Sequence, residues 1–402
     1  MPVELELTIG FSVTGNSLGY LGGGWARAEP DFTWAVGGES HLILQRSKLP
    51  GDSVLTLDVI PFIHEPELPA QRLTVSVNDT VVGSSLIYRP SLLGYRIPAD
   101  LMRRGERILV TLVHPDAARP VEFPDGTDDR NLAFSITEAK LYRITEGDAA
   151  NGSDLPVGLM MSGASNGPAD GETDADLTQW VQDRTGLTLP QLAIKFESLG
   201  ENCEFGLVQR RCESEPLGLL RFSSTFLRNL IRGLDSGFEG LGVTDEIDPR
   251  LEGPGPVKEF MIHEKRYGLI YHTFVYDGQR SVWLMREQEA ARLKFLRRKF
   301  MEELEAAEKI FVYKRNAEVS EEEILPLFLA LNRYGANRLL WVVPADDLHP
   351  PGTVEVAPHG ILKGYIDRFA PDENAHDFSF EGWIRLCANA HLLSKLKKKV
   401  PE

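Results

Sequence analysis

The stretch whose residue types most directly suggest chemistry is Phe196-Glu-Ser-Leu-Gly-Glu-Asn-Cys203-Glu-Phe-Gly. A short apolar run ends at a glycine, and a cysteine follows just before a helix-like segment. A strand that stops at a tight turn and feeds a helix can place one side chain at the open carboxyl edge of a sheet. Main-chain N–H groups of the helix then point at whatever binds there. A thiol in that position has its thiolate favoured and becomes nucleophilic. The other reading of Cys203 is a small buried residue, because free cysteine packs well in cores.

The partner for such a thiol is His272, in Leu269-Ile-Tyr-His-Thr-Phe-Val. If the two strands are neighbours, Cys203 and His272 would form a thiolate–imidazolium pair. Otherwise His272 is a strand histidine satisfied by a backbone partner. Backbone N–H groups near Asn202 to Phe205, helped by the Asn202 amide, would hold an oxyanion. Arg221, with Ser223 beside it, would grip an anionic or sugar-phosphate group through its bidentate fork. His263 and His359 read as surface residues, and His376-Asp377 as an exposed loop or, alternatively, the third limb of a hydrolase site.

A second group of residues suits sugars. Gly24-Trp-Ala-Arg-Ala-Glu-Pro-Asp-Phe-Thr-Trp34 sets Trp25 and Trp34 around a Glu-Pro turn. Indole faces stack on the C–H faces of sugar rings, while nearby polar groups take the hydroxyls. The competing reading makes both indoles anchors of a core. No His-x-x-x-His or Cys-x-x-Cys pair, Walker loop, Gly-x-Gly-x-x-Gly after a strand or Gly-x-Ser-x-Gly elbow occurs. Neither a metal nor a cofactor is expected.

These residues need elements to hold them. Residues 1–145 carry short runs of two-residue period, such as Val54-Leu-Thr-Leu-Asp-Val and Ile108-Leu-Val-Thr-Leu-Val, separated by Gly, Pro, Asn and Asp clusters. That pattern predicts an antiparallel β-sandwich, jelly-roll-like. Residues 146–176 are small and polar and read as a flexible linker, with a short apolar patch at Leu155 to Met161. From 177 to 394 strand and helix patterns alternate, which predicts a three-layer α/β domain. Lys395 to the end is a basic tail.

The bulk numbers set outer limits. The chain has 402 residues, 42% hydrophobic and 25% charged, with a formal net charge of −16 and a mean hydropathy of −0.19. That length argues for more than one domain. The acidity argues against a general nucleic-acid binder. Three cysteines do not make a disulfide framework, and neither a signal peptide nor a membrane span is legible, so a cytoplasmic location is expected.

Two family resemblances bear on function. Ser198-Leu-Gly-Glu-Asn-Cys203, then Leu217-Gly-Leu-Leu-Arg-Phe-Ser-Ser-Thr-Phe226, resembles the opening of a bacterial family described as papain-like cysteine peptidases. That family runs Ser-Leu-Gly-x-x-Cys, then Leu-Arg-x-x-Ser-x-Pro-Phe-Asp-Trp. Tyr271-His-Thr-Phe is similar to its His-Asp-Phe segment, and Phe295-Leu-Arg-Arg-Lys-Phe with Ile310-Phe-Val-Tyr-Lys-Arg to its basic helix and next strand. The resemblance covers about residues 193 to 345 and implies Cys203 as nucleophile. It departs at Ser224-Thr-Phe226, where the family has Pro-Phe-Asp-Trp, and at Thr273, where it has Asp.

Residues 5–145 resemble β-sandwich modules attached to bacterial glycosyltransferases and polysaccharide-biosynthesis proteins. The match lies in Gly24-Trp25, Glu29-Pro30, Trp34, Val77-Asn78 and the late Asp129-Arg130-Asn-Leu-Ala segment. It implies a carbohydrate or glycoconjugate ligand and a glycosyltransferase partner. Taken together, the expectation is a cysteine-dependent hydrolase or acyltransferase of bacterial surface-polysaccharide metabolism. The alternatives are a non-catalytic glycan-binding accessory protein and a nucleotide-sugar-dependent glycosyltransferase.

Overall fold

The computed structural model describes residues 3–45, 51–104, 107–144, 156–162, 174–253 and 256–396. The chain divides into two compact units, Met1–Asp148 with Val319–Leu329, and Ala149–Glu318 with Ala330–Glu402.

The first unit contains strands β1 (Val3–Gly10), β2 (Thr33–Val36), β3 (Glu39–Gln45), β4 (Ser53–Pro61), β5 (Gln71–Val77), β6 (Thr80–Ile87), β7 (Ser91–Ile97), β8 (Arg107–Val113) and β9 (Leu132–Ile144). A short helix, α1 (Ala99–Met102), precedes β8. One antiparallel sheet runs β1-β9-β4-β7 with β2 also on β9, and the other runs β3-β8-β5-β6. Alternate residues of each strand point inward, as the two-residue period requires. Leu42 and Leu44, Leu55, Leu57 and Val59, and Leu73, Val75 and Val77 fill the common core.

Strand register fixes where the loops emerge. Gly10 faces Glu138 and Thr33 faces Ile136, partway along β9, whereas Pro61 faces Phe134 near its start. The long connection 11–32 therefore begins and ends partway along β9, and 62–70 and 114–131 lie at its starting end. Gly24 lets the first of them run close against β3. It has φ +83°, and a Cβ there would lie 2.0 Å from the Glu39 carbonyl oxygen.

In the second unit, β10 (Met160–Met161), β11 (Phe196–Ser198), β16 (Ile310–Lys314), β17 (Arg338–Pro344), β18 (Val354–Val356) and β19 (Leu362–Ile366) form one sheet, ordered β10-β18-β19-β17-β16-β11. From β11 to β19 it is parallel, and β18 and β10 add antiparallel strands. β12 (Ser223–Ser224), β13 (Ile247–Glu252), β14 (Glu259–Glu264) and β15 (Leu269–Tyr276) form a separate antiparallel sheet, ordered β12-β15-β14-β13.

The helices are α2 (Asp174–Thr185), α3 (Leu189–Ala193), α4 (Glu204–Arg211), α5 (Leu227–Asp235), α6 (Val282–Ala306), α7 (Glu321–Asn332) and α8 (Phe380–Lys395). Apolar residues of α2, α3, α4 and α8, among them Val181, Leu192, Phe205 and Trp383, share a core with Val312, Leu340 and Leu362 of the parallel strands. The acidic first turn of α2 and of α7 suits the positive end of the helix dipole. Ser281 caps α6 by accepting from the Leu284 N–H at 3.2 Å.

Most of the stretch expected to be a linker, 146–176, lies outside the described residues. Within it, the Gly158 N–H donates to the Val356 carbonyl at 2.9 Å, and Met160–Met161 pairs with Val354 and Glu355 as an edge strand. The apolar patch there thus has a place in the sheet. Of the basic tail, only Lys395 and Leu396 are described.

Candidate functional site

Cys203 sits where the sequence suggested, after a strand and at the start of a helix. β11 ends at Ser198, Gly200 and Glu201 turn the chain with φ of +87° and +80°, and Cys203 is the residue before α4. His272, however, lies on β15, in a different sheet from β11. The neighbouring-strand arrangement that would bring thiol and imidazole together is therefore absent. The physical reason is the insertion of β12 to β15, which pair among themselves by antiparallel ladders before the chain returns to the parallel sheet at β16.

Each group has a partner of its own. The Cys203 thiol donates to the Phe222 carbonyl, Sγ to O 3.5 Å. Burial pushes the thiol pKa up, against a smaller pull downward from Arg210 and Lys314. His272 pairs through Nδ1 with Glu259 at 3.1 Å, stacks on Phe274 and is half exposed. The Asn202 side chain presents its carbonyl oxygen to the Glu204 N–H at 3.0 Å. It caps the helix and occupies one of the donors expected in an oxyanion hole.

Arg221 is 4% exposed. Its guanidinium donates to Glu215 at 2.5 Å and to the carbonyls of Pro216, Gly206 and Ser214. Those bonds commit it to bracing the 213–216 turn, so it has no fork to offer a substrate. Ser223 is buried and donates to the Leu219 carbonyl at 3.2 Å.

The parallel sheet's carboxyl edge holds an ion pair that the sequence reading passed over. Lys314, the last residue of β16, reaches Glu204 at 2.6 Å, and the Trp383 indole N–H donates to the same carboxylate at 2.7 Å. Both charges are buried. The pair ties α4 to β16 and α8. Among the described residues no group of three or more His, Cys, Asp or Glu is placed to hold a metal ion.

The two tryptophans of the sandwich differ. Trp25 packs against Phe11 at 5.4 Å and donates its indole N–H to the His41 carbonyl at 2.8 Å. It pins the 11–32 connection to β3, which is the anchoring role. Trp34 stands on β2, where Thr33 and Ala35 are buried and Trp34 and Val36 are not. It faces outward, lies edge-on to Phe32 at 5.8 Å, and its indole N–H has no partner among the described residues.

Register extends this outward face. Trp34 is opposite Ser135 on β9, and Ser135 is opposite Ile60 on β4. Two residues beyond Ile60, Phe62 meets Phe123 edge-on at 5.8 Å, and His64 stacks on Phe123 at 4.6 Å with 24° between the rings. Phe32, Trp34, Ile60, Phe62, His64 and Phe123 are all partly exposed. From β2 to β4 the row spans about 10 Å, two strand spacings.

Sequence reading found Trp34 by residue type and missed Phe62, His64 and Phe123. Their meeting depends on a register that brings 62–70 beside 114–131. Arg130 and Glu29, singled out in the sequence, form a clamp with Asp128: Arg130 reaches Glu29 at 3.1 Å and Asp128 at 2.6 Å. The Arg130 guanidinium holds the Asp128 carboxyl below its ordinary range, and the clamp fixes one loop to another.

No family model matches the chain, and no curated protein does. Among solved structures, the chain is similar to a family 6 carbohydrate-binding module of a laminarinase from the marine organism Zobellia galactanivorans, at 10% identity and a TM-score of 0.22, over 34% of this chain and 97% of that one. It is similar to a family 36 carbohydrate-binding module in complex with calcium and xylotriose, at 8% identity and a TM-score of 0.22, over 34% and 99%. A family 35 carbohydrate-binding module from an environmental isolate matches at 19% identity and a TM-score of 0.19, over 37% and 95%.

Proposed function

We propose that this chain is a non-catalytic glycan-binding protein whose sandwich takes carbohydrate on the outward face built from Trp34, Ile60, Phe62, His64 and Phe123. The observation that carries the reading is Trp34: a partly exposed indole on a strand, facing outward, with its N–H unspent. A sugar ring stacks its C–H face on such a ring, and a free indole N–H meets a hydroxyl. The second aromatic group, around Phe123, lies along the same face and offers a surface for a further ring. Strands hold Trp34 and Ile60, so that part of the platform needs little ordering on binding.

The expected cysteine-dependent hydrolase or acyltransferase has less behind it. Burial raises the Cys203 thiol pKa and the thiol donates to a main-chain carbonyl, neither of which favours the thiolate.

The test is affinity electrophoresis of the full chain through gels containing a neutral β-glucan, a xylan or a mannan. Wild-type protein is expected to be retarded by at least one, and Trp34→Ala to lose about tenfold or more of that affinity, the size of an aromatic hot spot. Retardation by none of the polysaccharides, or unchanged retardation of Trp34→Ala, contradicts the proposal.

A further inference from the structure

The charge of the loops around this face speaks to which glycans it accepts, an inference that rests on the proposed binding face. Connections 11–32, 62–70 and 114–131 carry nine Asp and Glu against three Arg and no Lys. Three of the acids neighbour the rings in sequence. Asp31 adjoins Phe32, Glu65 adjoins His64, and Asp125 lies two residues beyond Phe123. All three are exposed, and none has an ion-pair partner among the described residues.

Of the nine, Asp116 is paired with Arg72 of β5 and Glu67 with His64, and the three arginines of the connections offset only some of the rest. Arg130 is held by Glu29 and Asp128. Arg119 donates to the Asp129 carbonyl at 2.9 Å and approaches Glu122 at 3.8 Å. Arg27 alone among the three has no carboxylate partner in the described residues. Asp31, Glu65 and Asp125 are thus left uncompensated in the connections that carry Phe32, Phe62, His64 and Phe123, and charge of this kind acts over a Debye length of ~8 Å at physiological salt.

We infer that the face selects glycans without anionic groups and rejects uronic or sulfated chains by like-charge repulsion. Neutral sugars lose nothing beside a carboxylate, since their hydroxyls donate hydrogen bonds to it. A uronate placed there would be desolvated next to charges of its own sign, with Arg27 the one arginine of these connections left to meet it among the described residues. Discrimination of this kind comes from the repulsive element as much as from the attractive one.

The experiment compares one backbone in two charge states. Full-chain protein is titrated by calorimetry with laminarin and with carboxymethylated laminarin, at 20 mM and at 500 mM sodium chloride. The expected result is binding of the neutral polymer about tenfold or more tighter than its carboxymethylated form at low salt, with the gap narrowing severalfold at high salt. Asp31→Asn with Glu65→Gln and Asp125→Asn is expected to narrow it at low salt as well. Equal or tighter binding of the carboxymethylated polymer, lost on Arg27→Ala, overturns the inference while leaving the binding face standing. Binding of neither polymer, together with no retardation by xylan or mannan, overturns the face itself and this inference with it.

Discussion

Trp25 donates its indole N–H to the His41 carbonyl and packs on Phe11, whereas Trp34 keeps its N–H for a ligand. Trp25→Ala should therefore cost stability, about 3 kcal/mol for a large packed aromatic, measured as a lower urea midpoint at unchanged slope. Trp34→Ala, on an outward face, should stay within about 1 kcal/mol of wild type. Cys203 carries a second expectation at this scale. Because burial holds its thiol protonated beyond the ordinary range, iodoacetamide should label it at pH 7 more slowly than free cysteine, with the rate climbing only at alkaline pH. Labelling faster than free cysteine, followed by mass spectrometry, would restore the nucleophile reading. Residue types alone left both questions open, since neither the destination of an indole N–H nor the carbonyl opposite a thiol is written in local sequence.

Elements explain what could be read and what could not. The two-residue period of Val54–Asp58 or Ile108–Val113 is a direct imprint of the sandwich's inner face, and those strands appear where expected. β16 and β17 likewise follow from their apolar runs. The sheet to which each strand belongs is another matter. β15 has the alternation of a half-buried strand whether its neighbour is parallel or antiparallel, so Leu269–Tyr276 could not announce its own antiparallel sheet. With it went the expectation that the strands of His272 and Cys203 are neighbours in one sheet. The Lys314–Glu204 pair lies more than a hundred residues apart in sequence and depends on α4 meeting the end of β16. Lys314→Met should cost about 3–5 kcal/mol by leaving a buried carboxylate without its cation. Adding Glu204→Gln should recover a good part of that loss, since an amide oxygen still accepts from Trp383. Equal instability of the single and double variants in urea denaturation would show that the lysine matters for packing alone.

Over the whole molecule, stability should respond to pH through His391, buried in α8. Burial lowers its pKa to about 4, with Lys395, Lys195 and Arg338 adding to the effect. As pH falls below the unfolded value near 6.5, the unfolded chain takes up a proton that the folded protein refuses. His391 thus removes up to about 1.4 kcal/mol per pH unit until the pH nears its folded value. Buried Glu197, whose pKa is raised by desolvation, tilts the curve the other way over part of that range. The effect is therefore read as a difference: between pH 6.5 and 4.5, His391→Gln should lose less stability than wild type in parallel urea titrations, and matching slopes would contradict this. Glycan recognition can be followed across the chain just as directly, because its six tryptophans each give one indole N–H signal. The decisive measurement is the indole N–H NMR spectrum of the full chain during titration with a polysaccharide that retards it, the Trp34 signal being assigned by Trp34→Phe. The account predicts that the Trp34 signal shifts saturably while that of Trp25, fixed on the His41 carbonyl, stays in place. A shift confined to other tryptophans, with Trp34 unmoved, would contradict it.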